Sequence, residues 1–526
     1  MTSGRSQESL DATVAQNLKA GVELYNAGRW KAAVKQYIAA LKVSPNHPDA
    51  LHFLGVAQYR LGKNADAHRS IEKSLAQRPG SGPAHKDLAF VLAAENRFED
   101  AERHFNIALS LNADRREVHE GLGGVYAAQG KYAQAVQSFQ QALDQKPGNL
   151  AAWLGLCGVL RDLGDMDQLM SAIDQALADY PDHPDICAFR AEAHFARGEL
   201  KQGWEDYDRR FSTSADPMPA LDIPCPSWQG EALTGKNIVI WSEQGVGDEI
   251  WQASMAAEVS AVASRCRWVC SPRLVNLFKR SFPNIDFVTH RDTKQLSAGM
   301  DYQISAGSLG RWLRTSFSDF PSRPGYLKAD PAKVSRFRDK LTGGRAKSLL
   351  VGISWRSTNA RNAADKSVDL GQWGAVFAVP GVTFVDLQYG ATRKEREGVK
   401  SGFGVEILSE SSVDPRGNLD EYAALVAAMD MVIASSNSAA HIAGALGVPT
   451  VCMLPPTFGL GRRWYWFAGH DPCPWYPSLH CVVAHERGKW TDVNAKSALA
   501  LISHALAAGV LERPMPLLRG LAKSYR

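Results

Sequence analysis

From about residue 14 to residue 214 the apolar positions recur at helical spacing, and the pattern restarts every 34 residues. Glycine stands at Gly28, Gly62, Gly130, Gly164 and Gly198, with Asn96 in the remaining slot. Asparagine tolerates the left-handed backbone that glycine supplies, so every slot predicts a turn. Seven residues earlier a small residue recurs, at Gly21, Gly55, Ala89, Gly123, Cys157 and Ala191. Pro45, Pro79, Pro147 and Pro181 share the step, with Ala113 in the empty slot, and Ala33, Ala67, Ala101 and Ala135 hold a fourth register. Each unit reads as two amphipathic helices joined at the glycine and closed by the proline, with the small residues letting the pair approach. One unit cannot bury its apolar face alone, so the six units must stack.

After the array the pattern changes. Residues 215–235, with Pro217, Pro219, Pro224 and Pro226, lack periodicity and read as an ordered or semi-rigid linker. From Lys236 onward, apolar runs of strand length alternate with helical stretches: "NIVIW", "CRWVC" and "IDFV", then "SLLVGISW", "VTFVDLQ", "GVEIL", "MVIAS" and "PTVCML". Such alternation implies parallel sheets with helical crossovers. The two series predict two doubly wound domains, residues 236–335 and 336–505, with tails at 1–13 and 506–526. Ligands of such domains lie outside the carboxyl ends of the strands, here also in the cleft between halves.

Composition narrows the function classes. A net charge of +4 over 526 residues is too small to argue for nucleic acid or an anionic membrane surface. The eight cysteines form no CxxC pair and read as free thiols of a reducing compartment. "MTSGRSQESLDATVAQ" has no apolar core, so no signal peptide is expected. No charge-free apolar stretch reaches about 18 residues, so no spanning helix is expected either. These features predict a cytoplasmic protein.

Several stretches are placed to carry chemistry. "WSEQGVGDEIWQ" follows the first strand and sets Gly245, Gly247 and Asp248 where the chain turns into a helix. Asp248 there is either a proton acceptor or a helix cap. "SSNSAAHIAGALG" follows "MVIA", so Ser436, Asn437 and Ser438 precede a helix whose amides face an anion, with His441 in its first turn. His441 is read as reaching a phosphate or ribose, or as a core residue near the helix cap. "SWRSTNARNAADKS" supplies Ser354, Arg356, Arg361 and Lys366, a basic loop suited to clamping an anion. Gln388 closes its strand where it could read a base or ribose, while Tyr389, Trp475 and Tyr476 are read as cleft wall.

The 34-residue array resembles the tetratricopeptide repeat, which implies a concave groove that holds peptides or proteins. "EQGVGDE", "VGISWRSTNARNAADKSV", "TFVDLQYG", "MVIASSNSAAHIAGALGVPTVCMLP" and "DPCPWYPS" resemble the bacterial repeat-linked glycosyltransferases related to heptosyltransferases. More distantly the architecture is similar to O-GlcNAc transferase. The resemblance implies an α-solenoid followed by a GT-B fold of two Rossmann-like domains. It implies a metal-independent glycosyltransferase using a nucleotide-sugar as substrate and no cofactor. Asp248 then matches the proposed catalytic base, and Lys366 a basic phosphate contact. Where heptosyltransferases have Asp-Thr-Gly ahead of the histidine, this chain has Ser436, Asn437 and Ser438. Flagellin, modified with a nonulosonic acid, is the acceptor this likeness suggests. Two other readings stay open: a non-catalytic scaffold with a degenerate transferase half, and an enzyme acting on lipopolysaccharide.

Overall fold

In the computed structural model, residues 2–214, 218–243, 245–343, 348–357, 363–458 and 464–511 are described. The chain divides into two compact units, residues 1–163 with 167–181, and residues 164–166 with 182–526.

The first unit is helical. Its pairs are Thr2–Asn26 with Trp30–Val43, Pro48–Arg60 with Asn64–Gln77, Gly82–Ala94 with Phe98–Ser110, Arg115–Ala128 with Tyr132–Gln145, and Leu150–Leu163 with Met166–Asp179. The expected tail 1–13 is instead the start of the first helix. Every turn slot has positive φ, including Asn96 at 60° beside Gly28 at 72° and Gly62 at 73°. The small residue seven positions earlier is set by packing. A Cβ on Gly21 would lie 2.3 Å from the Tyr37 ring, and one on Gly55 2.4 Å from Ile71. Ala33, Ala67, Ala101 and Ala135 are fully buried, so that register is the line along which the helices pack.

The sixth helix pair, Pro184–Ala196 and Leu200–Tyr207, belongs to the second unit. The division between the compact units thus falls ahead of the sixth expected helix pair, and aromatic packing is the reason. Phe195 stacks on Trp464 at 4.0 Å, and the Trp204 indole donates to the Arg314 carbonyl at 2.7 Å.

The rest of the second unit holds two parallel sheets. The first comprises β1 (Asn237–Trp241), β2 (Arg265–Val269), β3 (Ile285–Val288) and β4 (Tyr302–Ser305), in the order β3-β2-β1-β4. The second comprises β5 (Leu349–Ser354), β6 (Val382–Asp386), β7 (Ile407–Ser409), β8 (Met431–Ser435), β9 (Thr450–Leu454) and β10 (Leu479–Val483), in the order β10-β9-β8-β5-β6-β7. Chain order reverses at β1 in one sheet and between β5 and β8 in the other, the crevices where such folds bind ligands. β4 and β10 were not among the expected strands. Both are edge strands, short and only partly buried, and so lack a continuous apolar run. The proline-rich linker is ordered against β4: Trp228 N donates to Gln303 O and Gln303 N to Pro226 O, both at 2.9 Å. Ile223, Trp228 and Leu233 are buried beneath it, which covers an otherwise open sheet edge.

Candidate functional site

Six strands end on one cleft of about 530 Å³ in the second unit. Gly245–Gly247 follow β1, Arg273 follows β2, Ser357 follows β5, Tyr389 follows β6, Arg416 follows β7, and Asn437 with Ser438 follows β8.

Asn437 caps the helix Ser438–Leu446, its Oδ1 accepting from Ala439 N at 2.9 Å. Its Nδ2 donates to Ser354 Oγ at 2.7 Å and to Ser435 Oγ at 3.2 Å, tying the ends of neighbouring β5 and β8 together. Gln388 completes this buried network. Its Oε1 accepts from Trp355 N and Arg356 N, both at 2.9 Å, and from Ser354 Oγ at 3.1 Å, while Nε2 donates to the carbonyls of Arg356 and Tyr389. Ser354 and Gln388 therefore set the shape of the cleft floor, and Gln388 has no amide edge left to read a base. Ser436 is likewise engaged, accepting from the Trp466 indole at 2.9 Å.

Arg356 also departs from the expected anion clamp. Its Nη2 donates to Ala391 O at 2.8 Å and Glu395 Oε2 at 3.1 Å, which fastens the loop after β6. Arg361 lies outside the described residues. Lys366 is buried close to His441 rather than on the cleft lining.

His441 is a core residue. It is 3% exposed, its Nδ1 pairs with the Tyr476 hydroxyl at 2.8 Å, and its ring lies 4.4 Å from that of Trp466. Burial, with the nearby Lys366 charge, pushes its pKa down to about 3, so the ring is neutral at ordinary pH and supplies no cation for a phosphate. Gly247 explains its close fit: a Cβ there would lie 2.8 Å from His441 Cδ2. The glycine expected to let substrate approach instead lets the helix Val246–Ala253 seat against the helix bearing His441.

Asp248 stands in the first turn of Val246–Ala253, where Oδ2 accepts from Gly245 N at 3.1 Å and Oδ1 from the Trp251 indole at 3.4 Å. That geometry is a cap on its own helix, strengthened by the helix dipole. Its neighbour Glu249 drew no attention in the sequence. It is 6% exposed at the ends of β1 and β2, and Ser271 N donates to its Oε2 at 2.8 Å. Burial pushes its pKa up to about 7, against the pull of the Ser271 amide, Arg273 and Arg291.

These two buried groups give opposite pH dependences. Between the unfolded and folded pKa of His441, 6.5 and about 3, acid favours the unfolded chain, so stability falls as pH falls. For Glu249, with 4.5 unfolded and about 7 folded, the folded chain holds the extra proton and stability falls as pH rises. From pH 7 to pH 4.5 each group changes stability by about 3 kcal/mol in opposite senses. In wild type the two contributions nearly cancel. His441→Asn, which keeps an amide toward Tyr476, should therefore gain stability on acidification relative to wild type, and Glu249→Gln should lose it. Twelve of the fourteen tryptophans lie beyond residue 200, so indole fluorescence reports melting of the second unit. Variant profiles parallel to wild type from pH 7 to 4.5 would show that neither group is buried as described.

The first unit has its own cavity, about 500 Å³, lined in part by Tyr25, Tyr59, Lys86, Phe90, Arg116 and Glu117. Its aromatic and charged side chains come from the first helices of successive pairs. Models of the tetratricopeptide repeat match residues 21–62, 86–149 and 126–168. The array is built of tetratricopeptide repeats. Protein FlbA of Caulobacter vibrioides is 34% identical over 332 residues, covering 59% of this chain and 54% of FlbA. The chain thus spans about half the length of that relative. Cellulose synthase operon protein C of Komagataeibacter sucrofermentans is 36% identical over 61 residues, 12% of this chain and 5% of its own. Among solved structures, pilF of Pseudomonas aeruginosa aligns with a TM-score of 0.34 and 19% identity, over 39% of this chain and 90% of its own. A thermophilic tetratricopeptide repeat protein of Thermus thermophilus aligns with a TM-score of 0.30 and 26% identity, over 34% and 98%. Among the described residues no helix is long and apolar enough to cross a membrane, and no group of three or more His, Cys, Asp or Glu could hold a metal ion.

Proposed function

We propose that this chain is a GT-B glycosyltransferase that moves a sugar from a nucleotide-sugar to a protein recruited by its repeats. The observation that carries this reading is the convergence of six strand ends, from two parallel sheets, on one cleft whose charged lining residues, among those described, are both arginines. A nucleotide-linked phosphate is an anion, and a transferase must stabilise it as it leaves. The first turn of Ser438–Leu446 offers backbone amides at the same cleft. Asp248, the residue after Gly247 of that lining, is the proton acceptor in this reading, held by its contact with the Gly245 amide. The repeats supply the protein-binding module, and the charged, aromatic cavity of the first unit suits an extended peptide. In its finest form the acceptor is flagellin and the sugar a nonulosonic acid.

A thermal-shift screen with CMP, UDP, GDP and ADP tests the donor half of the proposal. A ligand present at 100 times its Kd stabilises the state that binds it by roughly 2.7 kcal/mol. At least one nucleotide should raise the melting temperature of the tryptophan-rich second unit. If none does at millimolar concentration, the protein is a binding module without a donor site.

A further inference from the structure

The charged residues lining the cleft come from opposite sheets. Arg273 leaves the loop after β2, and its Nη1 donates to the backbone carbonyl of Arg416, in the loop after β7, at 3.3 Å. Its Nε donates to Ser271 Oγ at 3.3 Å, and Ser271 N is held by Glu249, so the base of this side chain is fixed. Arg416 is fixed in another way. Its amide donates to Asp414 Oδ1 at 2.9 Å, and its guanidinium lies 4.9 Å from the centre of the Tyr389 ring. Both arginines are exposed, and among the described residues no carboxylate belongs to the cleft lining. The lining thus brings two guanidinium groups to one cleft from two sheets, and an acidic ligand is their chemical complement. A single phosphate at the first turn of Ser438–Leu446 engages one side of the cleft; a second anionic group beside it would engage the other.

We propose that Arg273 and Arg416 form a clamp across the cleft for a ligand carrying two adjacent anionic groups. This deepens the donor reading above and rests on it. The two groups are either the phosphates of a nucleoside diphosphate or the phosphate and carboxylate of a nucleotide-linked sugar acid. Guanidinium groups suit both, because their fork of donors matches two oxygens at once.

Calorimetric titration of the full chain with UMP, UDP, CMP, CDP and a CMP-linked ulosonic acid tests the clamp. Wild type should bind one doubly anionic probe at least about tenfold more tightly than the matching monophosphate, as expected for one added charge-assisted contact. A gain confined to UDP or CDP identifies the diphosphate; a gain confined to the CMP-linked acid identifies the phosphate and carboxylate. Arg273→Gln and Arg416→Gln should each abolish that gain, so that the doubly anionic probe binds no more tightly than the matching monophosphate, with melting temperature unchanged since both side chains are exposed. Arg416→Lys, which keeps charge but not planar stacking, should retain only part of it. Monophosphates binding as tightly as the doubly anionic probes, or variants that keep the full gain, would overturn the clamp and leave the donor site standing. No nucleotide binding by wild type, in this titration and in the screen with GDP and ADP, overturns both.

Discussion

Asp248→Asn is expected to lower sugar transfer by roughly 10²–10⁴-fold, the range by which a positioned general base accelerates proton transfer. Asparagine preserves the local fold, since its amide oxygen can still accept from Gly245 N, as Asp248 does at 3.1 Å. It cannot take a proton from an acceptor hydroxyl at neutral pH. Donor affinity and melting temperature should therefore stay near wild type while turnover collapses. Asp248→Ala separates the two duties, because losing the contact at the helix start adds a stability loss of about 0.5–2 kcal/mol. The measurement is transfer to a purified acceptor, read by mass spectrometry, beside a melting curve for each variant. Normal turnover in the asparagine variant would leave Asp248 as a cap and nothing more.

Much of the repeat architecture was legible in the sequence because local rules suffice there. A left-handed turn needs glycine or asparagine, and a helix pair in close contact needs a small side chain, so the registers of Gly28 and Gly21 reappear as positive φ and as collisions avoided. Strands buried on both faces, such as β1 and β8, were equally plain as apolar runs. Edge strands β4 and β10 escaped because their half-exposed residues break the run. The cleft was harder to read, since a residue's class does not say what it touches. His441, Gln388 and Arg356 are the polar types that bind nucleotides, yet here they bond to Tyr476, to backbone amides and to Glu395. Arg273 and Arg416 lie on turns just past β2 and β7. That position is the usable signal, because loops at the carboxyl ends of parallel strands face the ligand.

The sixth helix pair shows the same limit, because its partners lie far along the chain. Arg210, just past the sixth helix pair, is buried within the second unit against Glu243, in the stretch that follows β1. Its Nη2 donates to Glu243 Oε1 at 2.6 Å, to Ser305 Oγ at 2.7 Å and to Ser308 Oγ at 3.0 Å. The guanidinium also lies 4.0 Å from the centre of the Tyr207 ring and 4.1 Å from that of Phe211. Glu243 has a fully buried side chain, and a Cβ on Gly307 would come within 2.2 Å of its Oε1, so the pair occupies a space that admits only glycine opposite. Burial opposes the charge on Arg210, and the adjacent Glu243 carboxylate restores it. Removing Glu243 then leaves the buried Arg210 charge with only Asp208, a half-exposed carboxylate 2.7 Å from its Nη1. Glu243→Ala should cost up to about 3–5 kcal/mol, the scale of a broken buried pair, whereas Arg210→Met with Glu243→Leu should recover most of that loss, because an apolar pair leaves no buried ion to solvate. Chemical denaturation followed by indole fluorescence supplies the comparison. A loss below about 1 kcal/mol in Glu243→Ala, the scale of an exposed pair, would mean that water reaches this site and that the Arg210–Glu243 pair does little to hold the sixth helix pair in place.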